Sequence, residues 1–132
     1  MPFQQENCLE TLPSTFGNLK NLENLELSRN RVVELPSTVQ QLRKVSRVDL
    51  RYNALRTPPP FTDAAPLREL YLGSNRLVSL DNCDFCPAGL QVLDVRDNKI
   101  KELGVGVARL QQLERLDVTN NDLNGIPPVT RR

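Results

Sequence analysis

Residues 67–77 read LRELYLGSNRL, and this stretch decides the fold. Leucines recur at the first, fourth, sixth and eleventh positions, and an asparagine stands at the ninth. Residues 22–32, 45–55, 90–100 and 113–123 repeat the spacing L-x-x-L-x-L-x-x-N-x-L, with valine or isoleucine replacing some leucines. A repeat of about 20 to 29 residues with this pattern is typical of a solenoid, in which each copy stacks on the next.

The apolar positions explain why the copies must stack. Leu25 and Leu27 alternate with polar residues, and this period of two predicts a strand with one buried face. A single short strand cannot bury that face alone. Neighbouring copies therefore form a parallel sheet over a continuous apolar interior.

The asparagines of the five copies predict a structural ladder. They stand 22 or 23 residues apart, at Asn30, Asn53, Asn75, Asn98 and Asn121. The chain must turn sharply after each strand, which leaves backbone donors and acceptors inside the molecule. An asparagine side chain supplies both a donor and an acceptor, so a stacked ladder can satisfy those groups.

The segments between the strands carry a second pattern. Residues 12–21 and 35–44 share L-P-x-x-Φ-x-x-L, where Φ is apolar, with Phe16 and Val39 at one position and Leu19 and Leu42 at the next. This spacing predicts a short helical or 3₁₀ turn on the convex side, beginning near each proline. The same apolar positions of the fourth copy are Leu103, Val107 and Leu110. Residues 57–66, TPPPFTDAAP, predict an extended link.

These repeats resemble the leucine-rich repeat family, and the 22–23-residue period with L-P-x-x-Φ-x-x-L resembles its intracellular, Ras-suppressor-like class. Residues 84–128 further resemble the leucine-rich repeat-containing protein 40 group. The resemblance implies an α/β solenoid: a horseshoe segment with a parallel β-sheet on the concave face and short 3₁₀, helical or extended segments on the convex face. It also implies a cytoplasmic protein, with a nuclear location left open, that binds a protein partner.

The repeat boundaries predict one segment, 1–132, of a longer array. A partial repeat covers 1–21, repeats cover about 22–44, 45–66, 67–89 and 90–112, and a truncated one covers 113–132. Pro2 and Gln4 fall where leucines belong, so no strand is expected before Asn7. Phe3 is expected to fill part of the open end. Uncapped apolar ends would favour self-association.

Composition narrows the function classes. The chain has 132 residues, 39% apolar and 25% charged, and a net charge of +1. This balance argues against a nucleic-acid-binding surface, and no apolar run is long enough to span a bilayer. Residues 1–10 lack the basic and apolar regions of a secretory signal. There is no histidine, which removes the commonest general base and metal ligand.

Strand residues that point away from the core predict the binding face. The candidate partner-binding residues on it are Glu26, Asp49, Arg51, Tyr52, Tyr71, Asp94, Arg96 and Asp117. Tyrosine and arginine are enriched at binding hot spots, so we expect Arg51, Arg96 and the two tyrosines to act as anchors. The alternative is that the arginines only neutralise the acids, since exposed pairs contribute about 0–1 kcal/mol.

Catalysis, cofactors and metals are not expected. Asp94 and Asp117 form a conceivable carboxylate pair, but an open sheet offers no pocket to desolvate it. Cys83 and Cys86 have C-x-x-C spacing, and Cys8 lies more than three repeats away, so four zinc ligands are lacking. We expect these two cysteines to fill apolar positions in a convex link. A structural spacer, or a targeting arm of a longer multidomain protein, is the alternative function.

Overall fold

The computed structural model describes residues 2–4, 10–61, 65–80, 87–102 and 110–123. Its core element is a six-stranded parallel sheet whose strands follow one another in chain order. The strands are β1 (Pro2–Gln4), β2 (Asn24–Glu26), β3 (Arg47–Asp49), β4 (Glu69–Tyr71), β5 (Val92–Asp94) and β6 (Arg115–Asp117). The predicted stack of strands is confirmed.

The first strand corrects the sequence prediction. Pro2–Gln4 forms β1, which pairs with β2 so that Phe3 stands level with Leu25. Counting back 23 residues places Pro2 at that level, but the first step is 22 residues. Proline is tolerated as the first residue of an edge strand because its missing N–H is not needed there. The side chain of Phe3, and its expected role at the open end, lie outside the described residues.

The interior is a column of leucine and valine side chains. Leu25, Val48, Leu70 and Leu93 are each 0% exposed and stand level in adjacent strands. Each strand thus buries its middle residue against its neighbours, as the alternation predicts.

The asparagine side chains hold the turn after each strand. Asn75 Nδ2 donates to the carbonyl oxygens of Leu72 (3.0 Å) and, one repeat earlier, Leu50 (2.9 Å). Its Oδ1 accepts from the N–H of Leu55 at 3.0 Å. Asn53, Asn98 and Asn121 make equivalent bonds to the preceding repeat. Each asparagine therefore joins two successive turns.

The convex side carries two 3₁₀ helices, Ser14–Asn18 and Ser37–Gln41, each preceded by the predicted proline. Phe16, Val39 and Leu42 are buried, whereas Leu19 is 39% exposed. Leu19 lies in the first convex link, which has a described neighbouring link on one side only, so its predicted burial is wrong. Leu110 is buried, and Leu103 and Val107 lie outside the described residues.

The third link is extended, as predicted for its described part. Residues 57–61 form no helix, and Phe61 is 1% exposed. Phe61 thus supplies the apolar filling that a helical turn supplies in the second link.

Candidate functional site

The concave face presents columns of side chains in register. Strand pairing places Glu26, Asp49, Tyr71, Asp94 and Asp117 in one central column. Successive members stand about 4.8 Å apart, the spacing of hydrogen-bonded strands. The predicted column is therefore present, and what it contains is mainly carboxylates with one tyrosine in the middle.

Asp49 and Arg51 form a closed pair within this column. Arg51 Nη2 lies 2.7 Å from Asp49 Oδ2, and Arg51 Nε lies 3.0 Å from Oδ1, which also accepts from the Arg51 N–H at 3.1 Å. Asp49 is only 2% exposed. Burial raises the pKa of Asp49, but the hydrogen bonds and charge of Arg51 outweigh it, so the pKa lies below its usual 3.8.

Asp94 occupies the same position two strands later but lacks that closure. Its Oδ1 accepts from the Arg96 N–H at 3.1 Å, while Arg96 Nε stays 3.9 Å from Oδ2. Burial raises the pKa of Asp94 above its usual value, and the neighbouring Asp117 adds to the rise. The two halves of the column therefore differ electrostatically: Asp49 is neutralised, and Asp94 is only partly so.

Tyr71 is held at the centre of the concave face by two arginines. The guanidinium carbons of Arg47 and Arg51 lie 4.9 and 5.1 Å from its ring centroid, within cation–π range. Its hydroxyl donates to Glu69 Oε1 at 2.7 Å. Burial, and then the bond to Glu69, raise the pKa of Tyr71. The ring is thereby fixed in one orientation.

Arg47 is the residue that the sequence reasoning did not single out. Besides covering Tyr71, its guanidinium lies 3.6 Å from a carboxylate oxygen of Glu26 and 3.6 Å from one of Glu69. The available signal was its place two residues before Asp49 on the same strand. Its side chain consequently links three neighbouring strands.

Tyr52 lies at the rim of the face rather than at its centre. It is 47% exposed, and Arg29 stands 4.8 Å from its ring centroid. Both residues have positive φ, 61° and 62°, as do their counterparts in the other repeats, Ser74, Asp97 and Asn120. This left-handed residue immediately before each ladder asparagine was not predicted.

The remaining predicted residues stay on the face but make fewer contacts. Asp117 Oδ1 accepts from the N–H and the hydroxyl of Thr119, at 3.1 and 2.9 Å. Among the described residues, no group of three or more acidic, cysteine or histidine residues forms a potential metal site. Cys8, Cys83 and Cys86 lie outside the described residues, and so does the expectation that the last two are packed.

Comparison with known proteins agrees with this architecture. The Leucine Rich Repeat family model matches residues 112–130. The probable inactive serine/threonine-protein kinase roco10 of Dictyostelium discoideum is 32% identical over 92% of this chain. Human leucine-rich repeats and immunoglobulin-like domains protein 3 is 30% identical over 94%. The chain spans only 5% and 11% of the lengths of these two proteins.

A solved structure shows the same fold. The leucine-rich repeat ectodomain of the Arabidopsis thaliana receptor kinase GASSHO1/SCHENGEN3, in complex with Casparian strip integrity factor 2, has a TM-score of 0.75 and 26% identity. The match covers 89% of this chain and 15% of that chain.

The repeat pattern, the parallel solenoid and these matches identify the chain as a leucine-rich repeat protein. Leucine-rich repeat domains are mostly non-catalytic and commonly mediate protein–protein interaction. None of the helices in the described ranges is long and apolar enough to cross a membrane.

Proposed function

We propose that this chain recognises a protein partner through the concave face of its sheet. The observation that carries the proposal is the fixed position of Tyr71 between Arg47 and Arg51, above the buried Asp49. Tyrosine and arginine dominate binding hot spots because they combine large apolar area with directed hydrogen bonds. A side chain that is already ordered loses little entropy on binding, which leaves more free energy for affinity.

The charge distribution of the face indicates which part of a partner each half favours. Asp94 and Asp117 are incompletely neutralised, so the half formed by β5 and β6 suits a basic side chain. Arg47 and Arg51 are engaged with acids, so the half formed by β2 to β4 offers mainly Tyr71 and its hydrogen-bonding neighbours. The similar ectodomain in complex with Casparian strip integrity factor 2 supports recognition by a fold of this kind.

The test compares proteins captured by three purified forms of the chain. One form carries Tyr71→Thr with Arg96→Thr; threonine suits the second position because Thr119 occupies the equivalent site beside Asp117. The matched control removes an exposed leucine and an arginine from the convex side, Leu19→Thr with Arg43→Thr. We expect the first variant to lose partners that the control retains. Identical partner sets for all three forms would defeat the proposal.

The repeat class and location extend the proposal. The 22–23-residue period supports the intracellular, Ras-suppressor-like class and, within it, the leucine-rich repeat-containing protein 40 group, in the cytoplasm or nucleus. Fluorescent tagging of the chain in cells tests the location. Self-association through the exposed strands β1 and β6 is part of the same proposal, and light scattering over a concentration series tests it.

A targeting arm within a longer protein is the second candidate. It is favoured by the relatives, which include a probable inactive kinase of which the chain spans 5%. In that case the concave face would still bind the partner, and the function would be to bring another domain to it.

A further inference from the structure

A second surface begins where each ladder asparagine ends. The first and third residues after the asparagine are mainly exposed, and the second is buried. In the third repeat, for example, Arg76 and Val78 are exposed and Leu77 is 0% exposed. The exposed positions hold five cations, which we call the basic flank: Arg31, Arg56, Arg76, Lys99 and Lys101.

Backbone hydrogen bonds keep this surface in register. The N–H of Arg76 donates to the carbonyl of Leu55 at 2.8 Å, and the N–H of Lys99 donates to that of Leu77 at 2.9 Å. The N–H of Lys101 donates to the carbonyl of Val78 at 3.1 Å. The flank is therefore a regular array across the repeats, at the carboxyl end of the strands and beyond the asparagine ladder from the concave face.

The charges of the flank are not neutralised. All five side chains are exposed, and within the described ranges none of them makes an ion pair or donates a side-chain hydrogen bond. On the concave face, in contrast, Arg47, Arg51 and Arg96 each lie within 3.9 Å of a carboxylate. The acids nearest in sequence, Glu34 and Glu102, take the fourth position after their asparagines and leave the five cations unpaired.

Two exposed valines lie among the cations. Val33 is 44% exposed and Val78 is 54% exposed, which makes Val78 the most exposed large apolar side chain in the described part of the chain. Each follows a cation by two residues, as Arg31–Val33 and Arg76–Val78. In an extended segment this interval is roughly 6.8 Å, the same as between alternate side chains of an extended peptide.

We propose that the basic flank binds an extended acidic segment of a protein, in which carboxylates alternate with apolar side chains. Carboxylates would pair with the unneutralised cations, and apolar side chains would cover Val33 and Val78. The valines favour a protein segment over a nucleic acid, because a phosphate backbone offers them no apolar contact. The net charge of +1 also lacks the basic excess usual for nucleic-acid binding.

The test uses the purified chain and a labelled synthetic peptide of alternating Glu-Ser-Val-Ser units. Fluorescence anisotropy measures binding at low salt, where electrostatic attraction is least screened. A peptide with glutamine in place of glutamate serves as the control and is expected not to bind. The same assay includes a single-stranded oligonucleotide and phosphatidylserine vesicles.

Matched variants separate the flank from general electrostatics. We expect Arg76→Glu with Lys99→Glu to weaken peptide binding at least tenfold. Arg43→Glu with Lys44→Glu changes the net charge equally on the exposed convex side, and we expect less than a twofold effect. Val33→Ser with Val78→Ser is expected to weaken binding about threefold. Circular dichroism checks that each variant keeps its fold.

Zero-length carbodiimide cross-linking locates the bound peptide. The chain has four lysines, two on the flank and two, Lys20 and Lys44, on the convex side. We expect cross-links from peptide glutamates to Lys99 and Lys101 and not to the convex pair. The proposal is overturned by equal losses in the two charge variants, by cross-links spread over all four lysines, or by binding of the oligonucleotide or vesicles without the peptide.

Discussion

Arg51 closes on Asp49 from two residues further along the chain, with Nη2 2.7 Å from Oδ2 and Nε 3.0 Å from Oδ1. Two repeats later, Arg96 has the same place relative to Asp94, yet its Nε stays 3.9 Å from the carboxylate. The same Asp-x-Arg sequence thus gives a closed pair in one repeat and an open one in another. The neighbours differ: Arg51 also covers the ring of Tyr71, whereas Arg96 stands beside Gly73 and Thr119.

Replacing the two arginines should therefore have unequal effects. We expect Arg51→Thr to lower the free energy of unfolding by about 1–3 kcal/mol, because it leaves a buried carboxylate without its main partner. Arg96→Thr should cost less than about 1 kcal/mol, as for an exposed ion pair. Urea denaturation at pH 7 measures both. Equal losses would contradict the distinction between the closed and open pairs.

The two aspartates should respond to pH with opposite signs. The folded pKa of Asp49 lies below 3.8, so Asp49 stabilises the fold above pH 3.8 and loses that contribution as the pH falls through the folded pKa. The folded pKa of Asp94 lies above 3.8, so its ionised form is destabilising, and that cost disappears as the pH falls through the folded pKa towards 3.8.

Asparagine substitutions test these signs. At pH 7, Asp49→Asn should lower the urea midpoint, and Asp94→Asn should raise it or leave it unchanged. Near pH 3 both differences from the unsubstituted chain should shrink. A lowered midpoint for Asp94→Asn at pH 7 would show that its carboxylate is stabilising after all.

The asparagine ladder should be most costly to break in the middle. Asn75→Ala leaves the carbonyls of Leu50 and Leu72 and the N–H of Leu55 without their partner inside the core. We expect a loss of at least about 3 kcal/mol, since each buried unsatisfied group costs about 1–3 kcal/mol. Asn121→Ala, at a more exposed position, should cost less because water can replace the amide.

Hydrogen exchange gives an independent readout of the same change. The Leu55 amide should lose protection in Asn75→Ala and keep it in Asn121→Ala. Unchanged protection in Asn75→Ala would mean that another group satisfies this amide.

The left-handed residue before each asparagine should accept only some side chains. Ser74 has φ 58°. A β-branched valine is strongly disfavoured there, so Ser74→Val should cost about 1–2 kcal/mol. Ser74→Asn should be neutral or slightly stabilising, because asparagine adopts this conformation readily and Asn120 already occupies the equivalent position. Thermal denaturation of the pair measures the difference, and equal melting temperatures would contradict it.

The repeat spacing alone determined the solenoid, the parallel order of the strands and the sets of side chains that share a column. These follow from local periodicity, because a two-residue alternation fixes which face is buried and a constant period fixes what stands beside what. The same reasoning failed for β1, where one missing residue in the period moved Phe3, and not Pro2, level with Leu25. It failed again for Leu19, whose burial depends on a neighbouring link and not on its own repeat.

Only the tertiary structure decided how the charged residues of those columns pair. Periodicity places Arg47, Arg51 and Tyr71 on one face, but their stacking depends on side-chain torsions and on competition between neighbours for the same carboxylates. The contrast between the neutralised concave arginines and the unpaired basic flank arises in the same way. A linear pattern specifies which residues become neighbours, and the free energy of desolvation and pairing then selects among their possible contacts.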